Sequence, residues 1–303
     1  MMSDDFVCPV CKNDLVRNTD GLWCASCQAF FPRFGDGSFD FMPNEQLMRG
    51  GPSWRARQSE MEHWYGDFIA NPDNASAALA YEYEPHAAVL AELHGAILDV
   101  GGGVGIAQDY LSRDAGYLVI DPSLSWLGDA WKGVVGRSPS RNRPPTFIRG
   151  VGEYLPFPDG KFNAVLSLWS LNHSSDPRKT LDEIHRVLAP RGAFFLILED
   201  MEPTWRDLIE CFICKRMKRL GLRDECDCDL GLILALDKAK LTLRQAVDHK
   251  RSGRPWPTQP DHIRIHDAEL RQQFRHRFDI VERSWIGGFL RYRLRRCRSR
   301  KNA

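Results

Sequence analysis

Apolar positions in this chain form short runs set between glycine-rich or polar turns, and the run spacing switches between strand and helix periods. Ile97–Val100, residues 117–120, 146–149, 164–168 and 193–198 read as strands. Between them the pattern predicts a helix from about 104 to 113, a short helix over 123–132, and a helix opening at Pro177 behind an Asp176 cap. In that last helix Leu181, Ile184 and Leu188 form the buried stripe. Strand alternating with helix predicts an α/β domain. Residues 268–276 read as a further helix and Phe278–Ile286 as a sixth strand. Gly287–Gly288 then reads as a hairpin turn into an antiparallel seventh strand over 289–294.

The earlier part of the chain is patterned differently. Residues 44–54 read as a linker, and 55–70 and 75–94 as helices. Between the fifth strand and the closing hairpin lie residues 199–277, a long connection expected to hold helices near 204–220 and 229–249. The predicted domains are 1–43, a small module; 44–94, linker and helices; and 95–303, the main domain with a substrate-side insertion at about 199–277.

The chemistry concentrates after the first of the α/β strands, in Asp99-x-Gly101-x-Gly103-x-Gly105. Glycines let the backbone turn tightly and approach a ligand closely. A helix starting there presents free N–H groups. Asp121 stands at the end of the second strand, where a carboxylate can accept hydrogen bonds from vicinal ribose hydroxyls. A dinucleotide fingerprint needs a third glycine three residues on, and Ile106 or Gln108 occupies that place. The acid ahead of the glycines suits a ligand carrying an ammonium group better than a pyrophosphate.

Cysteine spacing defines the module. Cys8-x-x-Cys11 and Cys24-x-x-Cys27 are separated by twelve residues, so two knuckles can bring four thiolates around one ion. Four cysteines leave no open position, which makes the expected Zn2+ structural. Phe30, Phe31, Phe34, Phe39 and Phe41 follow, and are expected to pack the module on itself or on the larger domain. A second group, Cys211, Cys214, Cys226 and Cys228, has looser spacing; it reads either as a second metal site or as small buried hydrophobes with an acidic loop, and the latter is preferred.

On these residues, and on Glu153, Leu155-Pro156-Phe157 and Phe162, the chain resembles the class I S-adenosylmethionine-dependent methyltransferases of the ubiquinone/menaquinone-biosynthesis kind, with a type 11 methyltransferase domain. The resemblance covers residues 97–198 and rests on three motifs in order. It departs from the pattern at Val151, where an acid usually caps the adenine amino group, at Asn163, and in Ala189-Pro190-Arg191-Gly192, where Pro-Gly-Gly is usual. The module resembles a zinc ribbon of the small activator-like kind fused ahead of such enzymes.

The resemblance implies a Rossmann-like, seven-stranded, mostly parallel sheet with an antiparallel last strand, flanked by helices. It implies S-adenosyl-L-methionine as cofactor, contacted by Asp99, Gly101, Gly103, Gly105, Asp121, Pro122, Val151, Gly152, Glu153 and Leu168. The acceptor pocket would take Trp169, Asn172, Tyr65 and Tyr81. His173, just beyond the fourth strand, is the first candidate base, and His262, in a late loop bordering the acceptor, the second.

Composition narrows the acceptor. A net charge of +1 gives no overall field toward nucleic acid or anionic membrane, and the module holds more acids than bases. A small-molecule acceptor is therefore expected, with a nucleic-acid or protein methyltransferase and a non-catalytic descendant as the alternatives; nothing in the sequence fixes an oligomeric state. No apolar stretch approaches the roughly 20 residues that span a bilayer. The acidic start, with no signal segment, predicts the cytoplasm.

Overall fold

The structure is a computed structural model, and it describes residues 5–35, 37–71, 81–126, 146–198, 205–222, 263, 265, 267–286 and 289–297. A three-stranded antiparallel ribbon comes first, from β1 (Val16–Arg17), β2 (Gly21–Cys24) and β3 (Ala29–Pro32). Helix α1 (Gly51–Ala70) and the short α2 (Ala87–Ala91) lead to the sheet.

The sheet contains β4 (Ala96–Val100), β5 (Gly116–Asp121), β6 (Thr146–Arg149), β7 (Phe162–Leu168), β8 (Leu188–Leu198), β9 (Phe278–Ile286) and β10 (Phe289–Arg296). Its order is β6-β5-β4-β7-β8-β10-β9; the first five strands run parallel, and β10 lies antiparallel between β8 and β9. Order therefore reverses direction between β4 and β7, and the crevice at the carboxyl ends of those two strands is where such sheets bind ligands.

Each central strand is buried on both faces. Leu98, Val100 and Val165 belong to one apolar cluster, with Leu181, Ile184 and Val187 of α3 (Pro177–Val187); the alternate residues Ile97, Ala164 and Leu166 belong to another. Asp176 caps α3 as expected, accepting from the backbone N–H groups of Arg178 and Lys179.

The seven strands and the ribbon match the sequence-based expectation. Four details differ. The helix expected over 104–113 is only a 3-10 turn, Ile106–Tyr110, because Gly105 enters it left-handed at φ 74° and Leu111 leaves it extended. Helix α1 begins at Gly51, inside the expected linker, and Glu45–Leu47 is a 3-10 turn. The expected 75–94 helix shows a break in its described part: a 3-10 turn at Glu84–His86, with Pro85 in its opening positions, precedes α2. Strand β8 starts at Leu188 rather than 193, its register slipping opposite Phe162 and Ala164, so Leu188 belongs to the strand and Val187, the last residue of α3, closes the helix's buried stripe in its place.

Two later helices are α4 (Trp205–Arg219) and α5 (Asp267–Phe274). The expected 229–249 helix, most of the 123–132 helix, the Gly287–Gly288 turn, His262, Cys226 and Cys228 lie outside the described residues, as do the side chains of Cys211 and Cys214. Among the described residues, no helix is long and apolar enough to cross a membrane.

The ribbon is seated on the main domain. Phe6, Phe39, Phe41 and Phe157 form one aromatic cluster, with ring centroids 5.0–5.9 Å apart. Phe30, by contrast, is exposed. Lys12 enters α3's surroundings: its ammonium donates to the Glu183 carboxylate and to the Leu155 carbonyl (3.2 Å), while Glu183 also accepts from Arg186 and from the Leu155 N–H.

Candidate functional site

A cavity of about 660 Å³ opens at the reversal point of the sheet. That volume lies in the range of small-ligand sites. Its floor is the glycine turn. Gly101 sits at φ 71°, and a Cβ there would fall 2.4 Å from Ser170 Cβ; this place accepts only glycine. Gly102 is excluded from growth on its other side, since a Cβ would meet the Asp99 carboxyl carbon at 2.6 Å.

Asp121 stands at the cavity wall, 5% exposed, with one oxygen accepting from Gly103 N–H (3.0 Å) and the other from Ser123 N–H (2.9 Å). The carboxylate is thereby fixed with lone pairs left over for a ligand. Burial pushes its pKa up to about 6, against the pull of those two N–H groups. Asp99 is placed otherwise than expected. It is fully buried, absent from the cavity lining, and accepts from the Tyr117 hydroxyl at 2.6 Å. It braces the turn from behind, and burial pushes it up to about 7.

Pro122, Val151, Gly152, Glu153, Leu168, Trp169 and Tyr65 line the cavity with Gly101 and Gly103, and so does His173. Gly105 stands one step outside that lining. Glu153 lines the cavity but commits one carboxylate oxygen to the next loop, accepting from Ser175 N–H (2.5 Å), the Ser175 hydroxyl (2.8 Å) and Asp176 N–H (3.1 Å). Trp169 holds a left-handed backbone at φ 55°, rare for a bulky residue and found where a side chain is being aimed.

Two pocket expectations are corrected. Tyr81 is 84% exposed and outside the cavity; Tyr83 points inward instead, where it meets Trp169 edge-on at 5.0 Å. Asn172 is fully buried behind the cavity rather than lining it. Its side-chain amide donates to the Ile263 carbonyl at 3.3 Å and its backbone carbonyl accepts from Ile263 N–H at 2.7 Å, so it pins the late segment beside His173.

Of the roof, sequence reasoning named only Tyr65 and missed its companions on α1. Trp54, Gln58, Met61 and Tyr65 recur at helical spacing on α1 and face the cavity. Between them Glu62 accepts from the Ser123 hydroxyl (2.8 Å), the Ser125 hydroxyl (2.5 Å) and Leu124 N–H (3.2 Å), tying α1 to the loop that follows Asp121. Tyr65 and Trp126 then pack at 4.3 Å over the glycine turn. The available signal was the period of residues 54, 58, 61 and 65.

Two of the departures noted in the sequence have a structural partner. Val151 packs with Met48, Trp54 and Tyr154 as an apolar wall. Asn163 lies at the far end of the sheet, where its side-chain carbonyl accepts from Ala96 N–H at 2.9 Å.

At the other end of the module, the four expected cysteines converge. All four Sγ atoms lie within 4.8 Å of one another, with Cys8–Cys27 at 3.9 Å and Cys11–Cys24 at 3.5 Å. A tetrahedron with metal–sulfur bonds of about 2.3 Å has edges of roughly 3.8 Å, so the cluster fits such an ion. Lys12 and Gln28, each just past a knuckle's second cysteine, are left-handed at φ 63° and 52°. The two knuckles thus share one backbone shape, and the cluster is able to hold a metal ion.

Comparison with known proteins agrees with this geometry. Residues 98–196 match the type 11 family model described as a methyltransferase domain. A demethylmenaquinone methyltransferase of Paenarthrobacter aurescens is 29% identical over 171 residues, 55% of this chain and 58% of its own length. A ubiquinone/menaquinone biosynthesis C-methyltransferase of Pectobacterium carotovorum is 31% identical over 120 residues, 37% of this chain and 45% of that protein. A glycine/sarcosine/dimethylglycine N-methyltransferase of Actinopolyspora halophila is 34% identical over 97 residues, 32% of this chain and 17% of that protein. The chain thus spans less than two thirds of each of these relatives. It contains a class I S-adenosylmethionine-dependent methyltransferase domain, accompanied by a cysteine cluster able to chelate a metal.

Proposed function

We propose that the chain transfers a methyl group from S-adenosyl-L-methionine to a small-molecule acceptor, and that a structural Zn2+ occupies the four-cysteine cluster. One observation carries the first part: the left-handed glycine turn and the fixed Asp121 carboxylate face a single cavity at the sheet's reversal point. Bound there, the cofactor would supply a methyl group on a sulfonium, open to in-line attack by the acceptor's lone pair with S-adenosylhomocysteine as the leaving group.

The protein's part is placement and exclusion of water. Asp121 would hold the ribose hydroxyls and the glycine turn the amino-acid half. Val151, Pro122 and Leu168 offer apolar contact to the base. Trp169 and Tyr83 wall the side left for the acceptor. For a hydroxyl or carbon acid, His173 is positioned in the lining to take the acceptor's proton as the new bond to carbon forms. His262 remains the second candidate.

Apart from Glu153, whose carboxylate is committed to the Ser175–Asp176 loop, the described lining contains the acids Glu60, Glu82 and Asp121 and no lysine or arginine. Such a wall favours a neutral or cationic acceptor over a phosphate-bearing one. The matched relatives, among them C- and N-methyltransferases, support a small acceptor without fixing its atom. The test is S-adenosylhomocysteine release with a hydroquinone, an aromatic amine, bulk tRNA and a basic protein. Turnover is expected with a small acceptor. Turnover with tRNA or protein alone would overturn the reading.

A further inference from the structure

The module joins the main domain directly behind one wall of the cavity. Residues 39–41 run beside the edge strand β6, with Arg149 N–H donating to the Phe39 carbonyl (3.0 Å) and Phe41 N–H to the Arg149 carbonyl (2.8 Å). Across this join the Arg149 guanidinium donates to the Asp40 carboxylate at 2.6 Å, and its Nε–H donates to the Pro122 carbonyl at 3.1 Å. Both partners of the ion pair are mostly covered, with side chains 23% and 16% exposed, so solvent screens it little. Pro122 follows Asp121 in the cavity wall. Gly150 and Val151, which follow Arg149, line the same wall, and Gly150 N–H donates to the Asp121 carbonyl at 3.1 Å.

We infer that Arg149 is a positioning residue for the cofactor. Held by Asp40 of the cysteine module, it fixes the Asp121–Pro122 turn and the start of the Val151 wall, so that the nucleoside half meets a preformed pocket. Arg149 itself is not in the lining; it acts through Pro122 and Gly150. A guanidinium is required because its fork reaches a carboxylate and a carbonyl at once, which a lysine ammonium on a flexible stem does not reproduce. The inference rests on the reading of the cavity as an S-adenosylmethionine site.

The experiment is calorimetric titration of the full chain with S-adenosylhomocysteine and with 5′-methylthioadenosine, which keeps the nucleoside and lacks the amino-acid tail. Arg149→Lys and Asp40→Asn are each expected to weaken both ligands by about tenfold and to the same degree, within the usual range of coupling between sites. Lys12→Met, which removes another of the module's anchors, is expected to lower the melting temperature and to leave both affinities within twofold. If Asp40→Asn does not fold, Arg149→Lys carries the test, since it keeps the charge. Affinities within twofold of wild type in Arg149→Lys overturn the inference. So does a loss confined to S-adenosylhomocysteine, or an equal loss in Lys12→Met. Failure of the wild-type chain to bind either ligand is a separate result, and overturns the cofactor reading beneath it.

Discussion

The Tyr117 hydroxyl donates to the Asp99 carboxylate at 2.6 Å in a fully buried pair directly behind the glycine turn. Burial pushes Asp99 from an ordinary value of 3.8 up to about 7, while the tyrosine pulls it partly back. The folded state therefore binds this proton more tightly than the unfolded chain. Its contribution to stability is complete below about pH 3.8 and is lost as pH rises through about 7. Asp99→Asn should flatten the fall in melting temperature across that window. Tyr117→Phe should steepen it and cost about 1 kcal/mol. Thermal melts of the three proteins at several pH values check this; parallel curves would contradict it.

The cysteine cluster should bind one zinc ion per chain. Elemental analysis of the purified protein should find it, and Cys8→Ser combined with Cys27→Ser should abolish it. Because a ribbon this small has little core of its own, metal removal by a chelator should unfold the module first. That would appear as faster hydrogen exchange over residues 7–41 with the β7 and β8 peptides still protected. Full metal content in the double variant would sink the assignment.

Lys12 is largely enclosed where the module meets α3. Burial lowers its pKa, and Glu183 works against that lowering. Lys12→Met keeps most of the stem but leaves Glu183 without its contact from the module. The cost should be on the order of 2 kcal/mol, below that of a fully buried pair. Denaturant melts would measure it, and an unchanged midpoint would show that the aromatic cluster alone seats the module.

Glu62 joins the roof to the floor. Glu62→Ala removes the acceptor for three donors on residues 123–125 and should loosen the loop beside Asp121. S-adenosylhomocysteine affinity should fall about tenfold, about the worth of one or two such hydrogen bonds. Exchange over residues 116–126 should also quicken. Unchanged exchange there would mean that α1 is held by its apolar face alone.

Much of the fold was legible because local chemistry and tertiary role coincide. Thr146–Arg149 and Phe278–Ile286 are strands at the bounds their runs predict, and Asp176-Pro177 opens a helix as a cap and first-turn pair should. The glycine turn was legible as a ligand loop, but Asp99's inward turn was not, since it depends on Tyr117 from the neighbouring strand. Tyr81 and Tyr83 look alike in sequence; two places apart in a helical turn, they point to opposite sides, one to solvent and the other to the cavity. Asp40 and Arg149 are 109 residues apart, and no local pattern marks either for the other. Apart from Tyr65, the roof on α1 was missed for the same reason. Glu62 reads as a surface acid until Ser123 and Ser125 are placed against it.

The central claim is that this cavity binds S-adenosylmethionine with Asp121 as its ribose anchor. Calorimetric titration with S-adenosylhomocysteine, beside an Asp121→Ala variant and with NADH as a control, tests it most directly. The account predicts micromolar binding by the wild-type chain, loss of at least tenfold in the variant, and no heat with NADH. Equal affinity in the two proteins, or binding of NADH in place of S-adenosylhomocysteine, would contradict it.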